Sequence, residues 1–160
     1  MEPIAIIGPE RQALARSLSA VLRHPPAAGG RADLLVLCPG CRRLPPLPPC
    51  RVLLLPGTLA GPLAGPRGAV SYGLGRRDTL TLSSFSRRRP CLALQRELVT
   101  LAGTCLEPQE LPLPPVSPCL SPALLLAWAG ACLLLGQEDL TRLPPPGPGK
   151  KPCSFPPMWL

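Results

Sequence analysis

The chain has 160 residues, 46% of them hydrophobic but only 3% aromatic, and a formal net charge of +8. That length allows one domain, or one domain with a tail, and its core must be built from Leu, Val, Ile and Ala. Charged residues are 16% and prolines number 26, against roughly 25% charged in ordinary soluble domains; the scattered arginines, with almost no aromatics for base stacking, argue against a nucleic-acid partner.

Met1-Glu2-Pro3 has neither the charged start nor the apolar stretch of a secretion signal. The eight cysteines are therefore expected as reduced thiols in a cytoplasm. Pro3–Ile7 is a short apolar run ending at Gly8, which suits a central strand. From Glu10 the period becomes helical, with Leu14, Leu18, Val21 and Leu22 on one face. Pro25-Pro26 and Gly29-Gly30 close that helix.

Asp33–Cys38 and Arg51–Leu55 read as two further buried strands, separated by the polyproline-like Leu44–Pro49, expected as an exposed loop. Ala69–Tyr72 is a fourth strand, closed by Gly73. Thr79–Ser83 alternates polar and apolar residues, so one face is wet. Cys91–Leu101 and Thr104–Glu107 flank Ala102-Gly103 as a β-hairpin. Leu111–Pro122 reads as a proline-rich connector. Pro122–Leu135 follows as an apolar helix, with Gly136 just past its end and one further helical turn in Gln137–Leu143. The longest apolar run, Ala123–Leu135, falls short of the roughly 20 residues of a membrane span. The expected organisation is an α/β domain over residues 1–143 and a proline-rich flexible tail over 144–160. The domain is a mainly parallel, Rossmann-like or P-loop-like sheet with an antiparallel β extension and a C-terminal apolar helix.

Strand, glycine and helix open the chain as a phosphate-binding loop does. Such a loop has the form G-x-x-x-x-G-K-[ST], with backbone N–H groups around the phosphates, a lysine on their oxygens and a hydroxyl on magnesium. Here Gly8 is followed by Pro9, Glu10 and Arg11. Proline removes a donor, and a carboxylate stands where phosphate would lie. Gly8, Glu10 and Arg11 are thus a vestigial phosphate-loop position, and ATP with magnesium is expected only if that loop is still competent.

Cys38-Pro39-Gly40-Cys41 is a C-x-x-C directly after a strand. A redox pair places the first thiol at a helix N-terminus, but Leu44-Pro45-Pro46 continue no helix. Zinc would need Cys38, Cys41 and Cys50 together with a fourth ligand, and no second C-x-x-C exists. Ordinary thiols at a strand end are the simpler expectation. Ser71, in G-A-V-S-Y-G, misses the nucleophile-elbow spacing by one residue. The one histidine, His24, suits a helix C-terminus. Glu107 and Glu110 are the nearest acidic pair and flank a turn at Pro108. Arg76-Arg77 and Arg87-Arg88-Arg89 read as solvated loops, and the P-x-x-P stretches at Pro45–Pro49, Pro112–Pro118 and Pro144–Pro148 as weak SH3-type ligands.

The order of segments resembles the central, ATP-binding domain of the Mur ligases and the related folylpolyglutamate synthases, over roughly Ile4–Leu143. IAIIG followed by RQALARSLSAVL is similar to that family's strand, phosphate loop and helix. LLLPGTLAGPL followed by AVSYGLG resembles its late strand, nucleotide-side loop and next strand. Thr79–Ser83 and Cys91–Leu101 look like the ribbon that follows, and PCLSPALLLAWAGACLLLGQEDLTRL like its alanine-faced helix and short acidic helix. The resemblance implies the fold. It also implies a loss of ligation, because Gly-Lys-Thr/Ser and the metal-binding Glu and His have no match. The only lysines, Lys150 and Lys151, offer no carbamylation site. The expected function is that of a non-catalytic, degenerate nucleotide-binding-like domain, a scaffold or protein-interaction module with an unidentified protein partner in a bacterial cytoplasm. An ATP-dependent Mur-type ligase and a thiol or metal protein are the alternatives.

Overall fold

The structure is a computed structural model and describes residues 4–22, 32–59 and 68–147. Arg23, His24, the loop at Pro25–Gly30, the side chain of Leu22 and the tail from Pro148 lie outside the described residues.

The fold is α/β. In chain order the elements are β1 (Ile4–Ile7), α1 (Arg11–Leu22), β2 (Ala32–Leu37), β3 (Cys50–Pro56), a 3₁₀ turn (Gly57–Leu59), β4 (Ala69–Tyr72) and β5 (Leu80–Ser84). They continue with β6 (Cys91–Leu94), β7 (Leu98–Val99), β8 (Cys105–Leu106), β9 (Gln109–Pro112) and α2 (Pro122–Leu134). Seven strands form one sheet in the order β1-β2-β3-β4-β5-β6-β9, and β7-β8 is a separate pair. β1 to β5 run parallel, whereas β5-β6 and β6-β9 are antiparallel.

The run Leu34-Leu35-Val36-Leu37 is wholly buried because successive side chains serve opposite faces. Leu34 and Val36 join Leu54, Leu14, Leu18 and most of α2 in the main core. Leu35 and Leu37 join Leu53, Leu55 and Leu59 in a smaller core on the other face. α2 is apolar all round, as a fully buried helix must be. Ser121 caps its first turn, its hydroxyl accepting from the Leu124 N–H at 3.1 Å. Gly136 ends the region with φ +91°. Gly130 lets α2 settle onto the sheet: a Cβ there would lie 2.6 Å from Leu80 Cδ1 and 3.1 Å from Leu54 Cδ1.

Several expectations are corrected. β1 is not central; it is an edge strand with β2 as its one described neighbour. Leu44–Pro49 is not simply exposed: Leu47 packs on the smaller core, so this extended segment covers the face that a crossover helix would otherwise cover. The anticipated long strand Cys91–Leu101 divides at Gln95–Glu97. The half through Leu94 pairs with β5 and β9, and the half at Leu98 turns at Ala102-Gly103 onto β8. Part of the supposed connector is strand β9. Gln137–Leu143 is not helical; its turn is set by Asp139, whose Oδ1 accepts from the Thr141 N–H at 3.1 Å. Pro144 lies against α1, its carbonyl accepting from the Ser17 hydroxyl at 2.8 Å.

Leu54 is fully buried between sheet and α2. Leu54→Ala is expected to cost about 3 kcal/mol and Ser121→Ala about 1 kcal/mol, read as shifts of the urea unfolding midpoint at unchanged slope.

Candidate functional site

In a parallel sheet the strand C-termini form the edge from which loops can reach a ligand, and the crevice opens where strand order reverses. Here β1 to β5 follow one another in a single direction, so the described sheet has no reversal and no such crevice. The loops after β1, β2, β3 and β4 nevertheless meet at one edge.

Gly8 leaves β1 with φ +133°, a conformation that favours glycine. A Cβ on it would lie 2.7 Å from Cys38 Cβ, 3.0 Å from Cys41 Sγ and 3.3 Å from the Cys38 nitrogen. The loop after β2 is thus seated directly on the loop after β1. The Cys38 N–H donates to the Ile7 carbonyl at 2.8 Å. Pro9 reaches over Gly40, where a Cβ would be 3.5 Å from Pro9 Cγ.

Two of the donors a phosphate would use are missing or bound. Pro9 has none. The Arg11 N–H donates to the Gly8 carbonyl at 3.3 Å, and the Glu10 backbone favours the charged form of the neighbouring Cys38 thiol. Gly8, Glu10 and Arg11 do lie together at the start of α1, as the sequence implies. Their backbone does not form an open cradle, and no lysine is present among the described residues. These residues do not fit the nucleotide and magnesium that the Mur ligase resemblance would bring.

Cys38 is fully buried and Cys41 half-buried. Burial, reinforced by the neighbouring Cys41, pushes the Cys38 thiol up to about 12. A nucleophilic redox thiol is shifted the other way. The Tyr72 hydroxyl completes the group, donating to the Leu37 carbonyl at 2.6 Å. Burial, and then the two nearby thiols, hold it well above the ordinary phenol value. Cys50 is not part of this cluster. It pairs with Ala32 at the opposite end of the sheet, and six residues of strand at about 3.3 Å each put it roughly 20 Å from Cys38. Among the described residues no three metal-ligating side chains come together. Cys38, Cys41, Cys50, Cys91, Cys105 and Cys132 are free thiols. Cys119 departs from the expectation of reduced thiols, being disulfide-bonded.

The remaining candidates are spent on structure. Ser71 Oγ accepts from the Thr79 N–H at 3.3 Å. Glu107 and Glu110 are exposed and far along the antiparallel extension. Leu113 and Val116, inside the second P-x-x-P stretch, are buried and bonded to the carbonyls of Pro90 and Arg87. A shallow groove of about 320 Å³ between α1 and Pro144–Gly147 is lined by Arg16 and Ser17.

One residue of this edge escaped the sequence reading. Asp78 is only 8% exposed. Its Oδ2 accepts from the Gly75 N–H at 2.9 Å. A Cβ at Gly57 would collide with its Oδ1, and one at Gly73 would lie 2.6 Å from Oδ2. Glycines after β3 and β4 thus make room for a carboxylate that folds the Gly73–Asp78 loop. Gln95 secures the same loop from β6's end, its Nε2 donating to the Asp78 carbonyl at 2.7 Å. The signal was present as three glycines around one aspartate, but Gly57 is distant in sequence.

No protein-family model, no curated protein and no solved structure matches this chain.

Two outcomes follow from this geometry. Gly8→Ala is expected to destabilise the fold by about 2 kcal/mol or more, from both φ and the Cys38 contact, measured by urea unfolding. The raised Cys38 thiol contributes stability that is complete below the ordinary thiol value of about 9. That contribution is lost as pH rises from there toward about 12, because the unfolded chain ionises first. Unfolding midpoints should fall over that window, and Cys38→Ala should flatten the fall.

Proposed function

We propose that this domain is non-catalytic: a degenerate nucleotide-binding-like scaffold whose strand-end loops serve contact with a partner. One observation carries this reading. The Cys38–Cys41 loop packs directly on Gly8 at the start of α1, and the Arg11 N–H is bound to the Gly8 carbonyl. Phosphoryl chemistry is almost entirely positioning and charge stabilisation, and the groups that would supply both are absent or turned inward.

The likeness to the Mur ligase central domain supports ancestry for this arrangement, with the family's strand–glycine–helix opening kept and its phosphate contacts replaced by a protein contact. A thiol-based activity finds less support, since Cys38 is buried and its thiolate disfavoured.

Calorimetry with ATP and Mg²⁺ tests the reading directly. The expected result is no binding heat at millimolar nucleotide. Micromolar affinity would overturn the proposal and restore the ligase alternative.

A further inference from the structure

The strand-end edge carries a second pattern, in its charge. Arg42-Arg43 follow β2 and Arg76-Arg77 follow β4, so topology collects two separated arginine pairs on one edge; Arg88-Arg89 follow β5, which runs on past the end of β4 in the same direction. All six side chains are exposed. Among the described residues the ion pairs are Arg51–Asp33 and Arg142–Asp139, which involve none of them. The edge's own acids do not balance it: Asp78 is buried against glycine, and Glu10 is one half-buried carboxylate.

The same loops present apolar side chains. Among the described residues the exposed large hydrophobics are Leu44, Leu74 and Val99. Two of these three adjoin the arginines. Leu44 follows Arg42-Arg43, and Leu74, 76% exposed, stands two residues before Arg76 on a glycine-flanked tip. β2 and β4 are two strand positions apart, or about 10 Å, so the loops that leave their ends open on the same edge.

We propose that this edge is a docking surface for a bilayer bearing anionic headgroups, with arginines on the headgroup charges and Leu74 entering the interface. Cations beside protruding apolar side chains fit such a boundary. A nucleic-acid strand fits it less well, since Tyr72 and Trp128 are buried and Phe85 packs against the core, leaving no exposed aromatic to stack a base among the described residues. No described helix is long and apolar enough to cross a membrane, so the contact would be peripheral.

The inference rests on the reading of the strand-end loops as a contact surface. Its test uses no nucleotide, so its failure leaves the calorimetric result untouched. The full chain is floated with vesicles of phosphatidylglycerol and phosphatidylcholine, and with phosphatidylcholine alone, at about 0.1 M salt. Binding to the anionic vesicles alone is expected. Arg76→Glu with Arg77→Glu should weaken it at least about tenfold, and Leu74→Ser about fivefold, with unfolding midpoints unchanged because these positions are exposed. Absence of flotation with anionic vesicles would overturn the proposal. So would vesicle binding indifferent to Leu74→Ser together with tighter binding to duplex DNA, which would mark a charge-only surface for nucleic acid.

Discussion

The close approach of Gly8 to Cys38 is the contact on which the strand-end edge depends. It exists because glycine at that position carries no Cβ and accepts φ +133°. With the two loops pressed together, the Cys38 N–H extends the β1–β2 ladder by one bond to the Ile7 carbonyl. The thiol is then carried inward against the Glu10 N–H, and Tyr72 closes over the end of β2. β1, as an edge strand with one described neighbour, gains from any bond that lengthens its pairing. A glycine of the kind that opens a phosphate loop here permits a close contact between two loops of the same chain.

The second face of the sheet shows how a proline-rich chain builds an α/β fold. A parallel connection must return across the sheet, and a helix usually does so while burying an apolar face. Leu44–Pro49 cannot form one, because consecutive prolines lack N–H donors. An extended run returns instead and needs few internal hydrogen bonds. Leu47 turns inward to the core of Leu35, Leu37, Leu53 and Leu55, while Leu44 stays outside. The smaller core that results is sufficient because α2 supplies most apolar burial on the opposite face.

Most of the architecture was legible in local pattern. Continuous apolar runs marked β2 and β3, the 3.6 period placed Leu14 and Leu18 inward, and Pro122 and Gly136 bracketed α2. Neighbour relations were not legible. Whether β1 is central or at an edge depends on which strand it pairs with, and that is a long-range choice its four residues do not encode. The break at Gln95 likewise follows from a distant demand, since its amide is needed by the Gly75 and Asp78 carbonyls. At the site, the sequence showed the missing lysine and the unhelpful Pro9. It could not show that Cys38 would occupy the vacated space, because that contact joins two loops across a helix.

Cys38 also reports on the electrostatics of this place. It lies at the N-terminal end of α1, where the helix dipole and free N–H groups favour negative charge. A thiol there is normally acidified. The Glu10 N–H and Arg11 do act in that direction, yet the thiol is raised, because desolvation is the largest influence and Cys41 and Glu10 add to it. Positive charge stands on exposed loops, at Arg42-Arg43 and Arg76-Arg77. At this edge the cations are exposed to solvent while the thiol between the loops is buried.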